Sequence, residues 1–239
     1  MVSVLITGAN RGIGLGLVKE ILKREDITNV FATARAGSSV QALKAISDDR
    51  VHIISMDVTD DSTLKPAVEK VSSIVGDSGL DVLINNAGIF NKYDVEAEPD
   101  RKILTQQFDV NTISPLIVTQ SFIGLLRKAA AKHGQAKVLT ISSSLGSLTV
   151  NMKAPIGIAY KMSKSAVNMM TRSLHDIYSK DNILVTSFCP GWVKTDMGTN
   201  AAMFTVEQST AALVDSFFNK LTAEHSGGYY DRNLKVIEF

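Results

Sequence analysis

Short apolar runs alternate with longer segments of helical periodicity along the whole chain. Six runs rich in β-branched residues lack polar alternation, which indicates strands covered on both faces. They span 2–7, 29–34, 51–56, 81–87, 136–143 and 183–190. The segments between them repeat apolar residues at helical spacing, for example over 13–24, 62–75, 103–130 and 157–179. This alternation predicts βαβ units and a parallel sheet with right-handed crossovers.

Nothing in the order of these segments divides the chain. No change of composition, proline-rich linker or repeat interrupts it, so we expect a single α/β domain over residues 1–239. The least regular stretches, 91–101, 145–157 and 195–208, each follow a predicted strand. We therefore expect them at the carboxyl edge of the sheet, where open α/β sheets bind ligands.

Charge and residue usage exclude several classes of function. Lys and Arg number 25 against 24 Asp and Glu, and no basic run exceeds two residues, so neither nucleic acid nor membrane is an expected partner. The one cysteine, Cys189, and four separated histidines predict no metal site. No secretory signal or stretch of about 20 apolar residues is apparent, which favours a cytoplasmic protein.

The stretch "TGANRGIG" joins the first predicted strand to a helix that begins near Ile13. Its glycines allow close approach of a pyrophosphate, and the helix N-terminus offers free N–H groups and a positive dipole end. The spacing of Gly8, Gly12 and Gly14 differs from G-x-G-x-x-G, and a Walker A loop is excluded because no G-K-[ST] follows. A dinucleotide site is predicted, with a plain turn as the alternative.

The end of the second strand bears on the choice of dinucleotide. An NAD enzyme places an acidic residue there for the ribose 2′-hydroxyl, whereas this chain has Arg35 and no carboxylate. A guanidinium binds a 2′-phosphate through charge-assisted hydrogen bonds, and Arg11 of the first loop is expected to reach the same group. The pair predicts NADP(H). The alternatives are a solvated Arg35 and NAD-dependent alcohol oxidation.

A tyrosine and a lysine four residues apart, Tyr160 and Lys164, share one helix face. A phenol titrates near pH ~10, and a neighbouring ammonium moves that pKa toward neutral pH, where the group can act as an acid or base. Taken alone the pair is equally an ordinary surface contact. Three serines, 142–144, end the fifth strand, and a hydroxyl there can stabilise charge on a substrate carbonyl oxygen.

These motifs together resemble the short-chain dehydrogenase/reductase family over essentially the full length. The family order is T-G-x-x-x-G-x-G, N-N-A-G at 85–88, the Ser–Tyr–Lys set with a helper Asn, and P-G after the sixth strand. The sequences "NRGIGLGLV" and "CPGWVKTDMG" are similar to those of the carbonyl-reductase-like branch, which includes the insect sniffer protein and the bacterial C-factor. The resemblance implies a Rossmann fold, a doubly wound parallel sheet of about seven strands with helices on both faces.

The resemblance also implies roles for individual residues. Tyr160 matches the proton donor, and Lys164 matches the lysine that lowers its pKa and bonds the nicotinamide ribose. Ser143 matches the catalytic serine, with Ser142 and Ser144 as competing choices, and Asn111 matches the residue that holds a helical kink and a relay water. The implied cofactor contacts are Gly8, Asn10, Arg11, Gly12, Ile13, Gly14, Arg35, Asp57, Val58, Asn86, Ala87, Gly88, Tyr160, Lys164, Pro190, Gly191, Val193 and Thr195.

The implied function is NADPH-dependent reduction of an aldehyde, ketone or quinone, with a small or flat lipophilic substrate suggested by Met197, Met203 and Phe204. The alternatives are a non-catalytic NADP-binding redox sensor and an epimerase or dehydratase acting on sugar nucleotides. The stretch between Ser143 and Tyr160 lacks the long insertion of monomeric carbonyl reductases. A homodimer through the helices near 103–130 and 157–179 is therefore expected.

Overall fold

A computed structural model describes residues 1–150 and 157–239, and within them a seven-stranded parallel sheet forms the centre. Its order is β3-β2-β1-β4-β5-β6-β7, so the direction of winding reverses between β1 and β4. The predicted fold class is confirmed. The strands are β1 Val2–Ile6, β2 Ile27–Ala34, β3 Val51–Ser55, β4 Val82–Asn85, β5 Ala136–Ile141, β6 Ile183–Cys189 and β7 Tyr229–Asp231.

Helices cover both faces of the sheet and bury one apolar layer on each. Helices α1 and α7 enclose one layer, and α3, α5 and α6 enclose the other. Within the described ranges the α-helices are α1 Gly12–Ile21, α2 Gln41–Lys44, α3 Asp61–Val75, α4 Arg101–Phe108, α5 Ser114–His133, α6 Ile158–Tyr178 and α7 Val206–Asp215. The strands read as unbroken apolar runs because both of their faces are covered.

Five of the six predicted strands end one or two residues earlier than the apolar pattern predicts, and two of these ends have a plain physical cause. The fourth was expected to reach residue 87, but β4 ends at Asn85 because the N–H groups of Asn86 and Ala87 both donate to Thr7 Oγ1, each at 2.9 Å. The sixth was expected to include Pro190, which has no N–H to donate to a ladder, and β6 ends at Cys189. Both ends release the chain into loops at the carboxyl edge.

The prediction of one helix over 103–130 is wrong. The structure has α4, a π-helical turn over Asp109–Ile113, and then α5. Pro115 cannot donate to the carbonyl four residues earlier, and the Ser114 hydroxyl donates instead to the carbonyl of Asp109 at 2.8 Å. The widened turn is therefore built into the sequence, and π-bulges of this kind are frequent at functional sites.

The irregular stretches lie where the sequence predicts, beyond the carboxyl ends of strands. Tyr93 pairs with Gly157, and Val193 pairs with Phe204, each through an isolated parallel bridge. Of the stretch 145–157, residues 151–156 lie outside the described residues. Over the described ranges, no helix has the length and hydropathy to cross a membrane, and no cluster of three His, Cys, Asp or Glu residues is arranged to hold a metal ion.

Candidate active site

The first loop presents an uncapped helix N-terminus at the carboxyl edge. Helix α1 starts at Gly12, and in the part of the chain that the structure describes no side chain caps its first N–H groups. Gly8 has φ +63, a left-handed conformation that glycine adopts without strain. The loop is so tightly packed that a Cβ on Gly14 would lie 2.3 Å from the carbonyl oxygen of Gly8. Free N–H groups and the helix dipole suit this end of α1 to a phosphate.

The N-N-A-G segment is fastened directly to that loop. Thr7 Oγ1 accepts the N–H groups of Asn86 and Ala87, and Asn86 Nδ2 donates back to the carbonyl of Thr7 at 2.8 Å. A Cβ on Gly8 would lie 3.1 Å from Cα of Ala87, so the two backbones run in close contact. The topological switch between β1 and β4 is thus lined mainly by backbone.

The two arginines expected at the 2′-phosphate are both exposed. Arg35 follows β2 directly, and Asn10 Nδ2 of the first loop donates to the carbonyl of Ser39 at 3.1 Å, which ties the two loops together. Arg11 instead forms an ion pair with Asp196 of the loop after β6, Nη1 to Oδ2 at 2.6 Å. An exposed pair of this kind contributes about 0–1 kcal/mol, so Arg11 is free to exchange partners.

Asp57 and Val58 follow β3 and are half-buried. Asp57 Oδ1 accepts the N–H of Thr59 at 3.0 Å and its hydroxyl at 2.8 Å, which closes a turn before α3. Val58 packs against the core beneath α3 and α5. The carboxylate therefore shapes the loop, and Val58 is the apolar surface that this loop adds to the edge.

Lys164 is a buried cation at the carboxyl end of β5. Its side chain is only 4% exposed, and Nζ donates to the carbonyl of Ile141 at 2.8 Å. Burial lowers the pKa of the ammonium to about 8. A Cβ on Gly88 would lie 3.8 Å from Nζ and 3.3 Å from Asn111 Oδ1, so the N-N-A-G segment runs beside both side chains.

Tyr160 lies one turn before Lys164, half-buried against Phe90 with ring centroids 5.1 Å apart. Burial raises its pKa to about 12, and a hydrogen bond with the Ser143 side chain works in the opposite direction. The lowered pKa expected from the sequence is thus not found in the protein alone. Lys164 Nζ lies 5.7 Å from the centre of the ring, and the loss of hydration is the largest influence on the pKa of the phenol.

The three serines after β5 have different surroundings. Ser142 is buried and its hydroxyl donates to Asn168 Oδ1 at 2.7 Å, while the main-chain N–H of Ser144 donates to Cys189 Sγ at 3.2 Å. Ser143 Oγ accepts the N–H of Leu145 at 3.2 Å, which leaves its own hydrogen to donate, and it is the serine bonded to Tyr160. Ser143 as the catalytic serine stays a prediction, and its bond to Tyr160 supports that choice over Ser142 and Ser144.

Asn111 stands in the π-helical turn and holds the start of the loop after the N-N-A-G segment. Its Oδ1 accepts the N–H of Ile89 at 2.9 Å, and its Nδ2 donates to the carbonyl of Ile89 at 2.9 Å and to Ser163 Oγ at 3.1 Å. The side chain thereby joins the turn before α5, the loop after β4 and helix α6. The relay water expected at this residue stays a prediction.

The loop after β6 closes the other side of the edge. The carbonyl of Pro190 accepts the Ser209 hydroxyl of α7 at 2.8 Å, and Val193 is buried. Thr195 Oγ1 accepts the N–H of Gly198 at 3.1 Å, and its methyl group would lie 3.4 Å from a Cβ on Gly12. The expected nicotinamide contacts therefore face the first loop across the end of the sheet.

Three residues that join these parts were missed by sequence reasoning. Thr7 binds the N-N-A-G segment, Cys189 accepts the N–H of Ser144, and the Tyr229 hydroxyl donates to the carbonyl of Ser143. Thr7 was signalled by its place in the first motif. Cys189 and Tyr229 reach Ser143 and Ser144 only through strand pairing across β5, β6 and β7, which a single sequence does not display.

Comparison with known proteins agrees with this arrangement. Residues 3–204 match the model of the short chain dehydrogenase family. Over 99% of both chains, the structure is similar at 44% identity and a TM-score of 0.89 to the Sniffer protein of Caenorhabditis elegans, itself a candidate carbonyl reductase.

Two further structures are similar. Carbonyl reductase Sniffer of D. melanogaster matches at 33% identity over 100% of both chains, with a TM-score of 0.94. The NADPH-bound carbonyl reductase from chicken fatty liver matches at 34% identity over 99% of this chain and 94% of its own, with a TM-score of 0.93. The chain belongs to the short-chain dehydrogenase family and is an oxidoreductase.

Proposed function

We propose that the protein is an NADPH-dependent reductase of aldehydes, ketones or quinones. The observation that carries this proposal is the meeting of three groups at the carboxyl end of β5: the buried Lys164 ammonium, the Tyr160 phenol and the Ser143 hydroxyl. A cation, a proton donor and a second donor in one partly buried place suit the reduction of a carbonyl group. The similar chicken enzyme is a carbonyl reductase that binds NADPH.

The loops at the switch point fit this cofactor. The uncapped N-terminus of α1 would hold the pyrophosphate, and Arg35 with Arg11 would hold the 2′-phosphate. Asn86, Ala87 and Gly88 run beside that loop, while Pro190, Gly191, Val193 and Thr195 face it from β6. When bound, NADPH supplies the hydride for the carbonyl carbon.

Four side chains of the protein have the remaining roles in the reduction. Ser143 donates its hydroxyl hydrogen to the substrate carbonyl oxygen and fixes the orientation of the carbonyl group. Tyr160, with a pKa of about 12, is protonated at neutral pH and gives its proton to the forming alkoxide, which is a far stronger base than a phenolate. Lys164 stabilises the phenolate that remains, and Asn111 holds the Ile89 loop and α6 in place around it.

A lipophilic substrate fits the loop after β6. Its Trp192 is half exposed, with Nε1 donating to the carbonyl of Gly198 at 2.7 Å, and Met203 is 71% exposed. Met197 is exposed in the same loop, and Phe204 is half-buried under the guanidinium of Arg232. Apolar side chains left in water beside a catalytic edge favour an apolar ligand.

A homodimer through α5 and α6 belongs to the same proposal. Helix α6 leaves an apolar stripe exposed, formed by Ile158, Met162, Met169 and Ile177, with Met169 65% exposed. An unpaired stripe of this kind on a helix suits a second copy of the chain. Light scattering should give twice 25.8 kDa, and Met169→Glu should release a monomer. A single 25.8 kDa species from the wild type would overturn the dimer. The cytoplasmic location stays a prediction.

The test of function is an NADPH-oxidation assay against a panel of aldehydes, quinones and diketones, with NADH in parallel and Tyr160→Phe as the control. We expect turnover of at least one class with NADPH, a weaker rate with NADH, and loss of turnover in Tyr160→Phe. Tight NADPH binding without turnover of any carbonyl compound would favour the non-catalytic sensor. A preference for NADH would remove the role assigned to Arg35.

A further inference from the structure

The peptide group between Ser143 and Ser144 is held at both ends by neighbouring strands. Its carbonyl oxygen accepts the N–H of Gly146 at 2.8 Å and also the hydroxyl of Tyr229 from β7. Its N–H donates to Cys189 Sγ at the end of β6, at 3.2 Å. With both lone pairs of the oxygen and the single hydrogen engaged, the plane of this peptide group is fixed.

Tyr229 is well placed to be a permanent donor. The residue is 1% exposed, β7 pairs it with Ser187, and its own carbonyl accepts the N–H of Ile237 at 2.9 Å. Its ring packs against Phe239, with centroids 5.8 Å apart. Burial raises the pKa of the phenol above its usual range, so the hydroxyl keeps its hydrogen at every pH at which the protein would work.

The orientation of this peptide group decides where the Ser143 hydroxyl lies. The backbone of Ser143 is extended, with φ −159 and ψ 144, and ψ is the rotation that turns its carbonyl. The short turn that follows, Ser144–Gly146, is closed by that carbonyl and by Ser143 Oγ, which accepts the N–H of Leu145. A shift of the carbonyl therefore shifts the Leu145 N–H, the donor that holds the Ser143 hydroxyl oxygen.

We propose that Tyr229 is a positioning residue for the reduction, acting through the Ser143 carbonyl to hold the Ser143 hydroxyl against the substrate oxygen. The inference rests on the proposed reductase function. The edge strand β7 thereby has a task in the reaction, although none of its residues is among those proposed to bind substrate or cofactor. Since the misplacement of a catalytic group by about 1 Å costs up to 10²-fold in rate, a modest shift is enough to be measured.

The first test compares Tyr229→Phe with Tyr230→Phe. Tyr229→Phe removes one oxygen and keeps the ring that packs on Phe239. Tyr230, the next residue, points to the opposite layer, where it packs against Phe188 and His225. We expect kcat to fall about tenfold in Tyr229→Phe with KM and the NADPH Kd within twofold of wild type. Tyr230→Phe should keep the wild-type kcat. Equal kcat values in the two variants would overturn the inference.

A double-mutant cycle separates positioning from a general loss of stability. If Tyr229 acts through Ser143, then Tyr229→Phe should lower kcat about tenfold in the wild type and leave it unchanged in the Ser143→Ala background. A tenfold loss in both backgrounds would show that Tyr229 acts elsewhere, and it would overturn the inference.

A second readout keeps the inference apart from the proposed function. Hydrogen exchange at the N–H of Gly146, which donates to the Ser143 carbonyl at 2.8 Å, should be about tenfold faster in Tyr229→Phe than in Tyr230→Phe. Unchanged exchange would overturn the inference even in an active enzyme. A wild type that reduces no carbonyl compound would instead refute the proposed function, with the exchange result still deciding whether Tyr229 holds this turn.

Discussion

The two halves of the carboxyl edge of the sheet consist of different chemical groups. Around β1 and β2 the edge consists of backbone and exposed charge: the loop between Gly8 and Gly14, the uncapped start of α1, and Arg11 and Arg35 in water. Around β5, β6 and β7 it consists of buried and half-buried side chains that bind main-chain groups, among them Lys164, Ser143 and Tyr229.

This difference has a consequence for what each half can do. Backbone N–H groups and exposed arginines attract an anion and adjust to it at little cost. Buried groups lose hydration, so their pKa values move, as those of Tyr160 and Lys164 do in opposite directions. We therefore expect changes around β1 and β2 to act on cofactor affinity, and changes around β5 to act on kcat.

The largest effect on kcat short of Tyr160 itself is expected from Lys164→Met. The variant keeps the length of the side chain but removes the ammonium next to Tyr160, so kcat should fall about 10²–10³-fold. Lys137→Met is the matched control, because Lys137 also donates to a main-chain carbonyl, that of Phe217 at 2.7 Å, from the opposite end of β5. Steady-state kinetics of both variants measure the effect. Equal kcat values in the two variants would show that the Lys164 ammonium has no role in the reaction.

The second prediction concerns the free energy of unfolding, which Lys164 should make dependent on pH. The effect should be similar in size to the change in activation free energy expected for Lys164→Met. Lys164 has a pKa of about 8 in the folded chain, against 10.5 for the ordinary group, so the unfolded chain binds more protons between these values. The free energy of unfolding should rise with pH across this window, by up to about 3 kcal/mol, relative to Lys164→Met. Urea unfolding of both proteins at pH 8 and pH 10 measures the difference. A difference between the two proteins that stays constant over this range would contradict the burial of a charged lysine.

In the cofactor half, Gly14→Ala should be the most damaging change. The added methyl group would lie 2.3 Å from the Gly8 carbonyl oxygen and 2.6 Å from Asn86 Nδ2, so we expect a loss of about 2–4 kcal/mol and weaker NADPH binding. Gly124→Ala is the matched control. Gly124 lies inside α5 with open space around its Cβ position, and the change there should stabilise the chain by up to about 1 kcal/mol. Denaturant unfolding measures the stability of both variants. A Gly14→Ala variant more stable than Gly124→Ala would contradict the close packing of the loop.

Of these variants, Arg35→Asp should change the stability of the folded protein least. It should selectively weaken the binding of NADPH. Arg35 is exposed, so stability should be unchanged. Loss of a charge-assisted contact to the 2′-phosphate should raise the Kd for NADPH about 10–100-fold, while the Kd for NADH stays within twofold. Fluorescence titration with both nucleotides makes the comparison. Parallel changes in both affinities would show that Arg35 does not recognise the phosphate.

The fold and the outline of the site were predictable because each motif is local. Apolar runs indicated six strands, and the spacing of Tyr160 and Lys164 indicated one helix face. The apolar spacing did not predict the break in the long helix, which depends on the missing N–H of Pro115 and on the bonds between Asn111 and Ile89. Only the resemblance to the family implied a kink at Asn111. The pKa of Tyr160 was also not predictable, because it depends on burial by residues distant in sequence.

The central claim is that Tyr160 delivers its proton to the alkoxide oxygen as that alkoxide forms during hydride transfer. A single-turnover measurement with NADPH and a carbonyl compound that the enzyme reduces compares Tyr160→Phe with Tyr178→Phe, the latter at the far end of the same helix. We predict that Tyr160→Phe slows NADPH oxidation about 10³-fold while binding NADPH as the wild type does, and that Tyr178→Phe keeps the wild-type rate. A Tyr160→Phe enzyme that oxidises NADPH at the wild-type rate would contradict the claim.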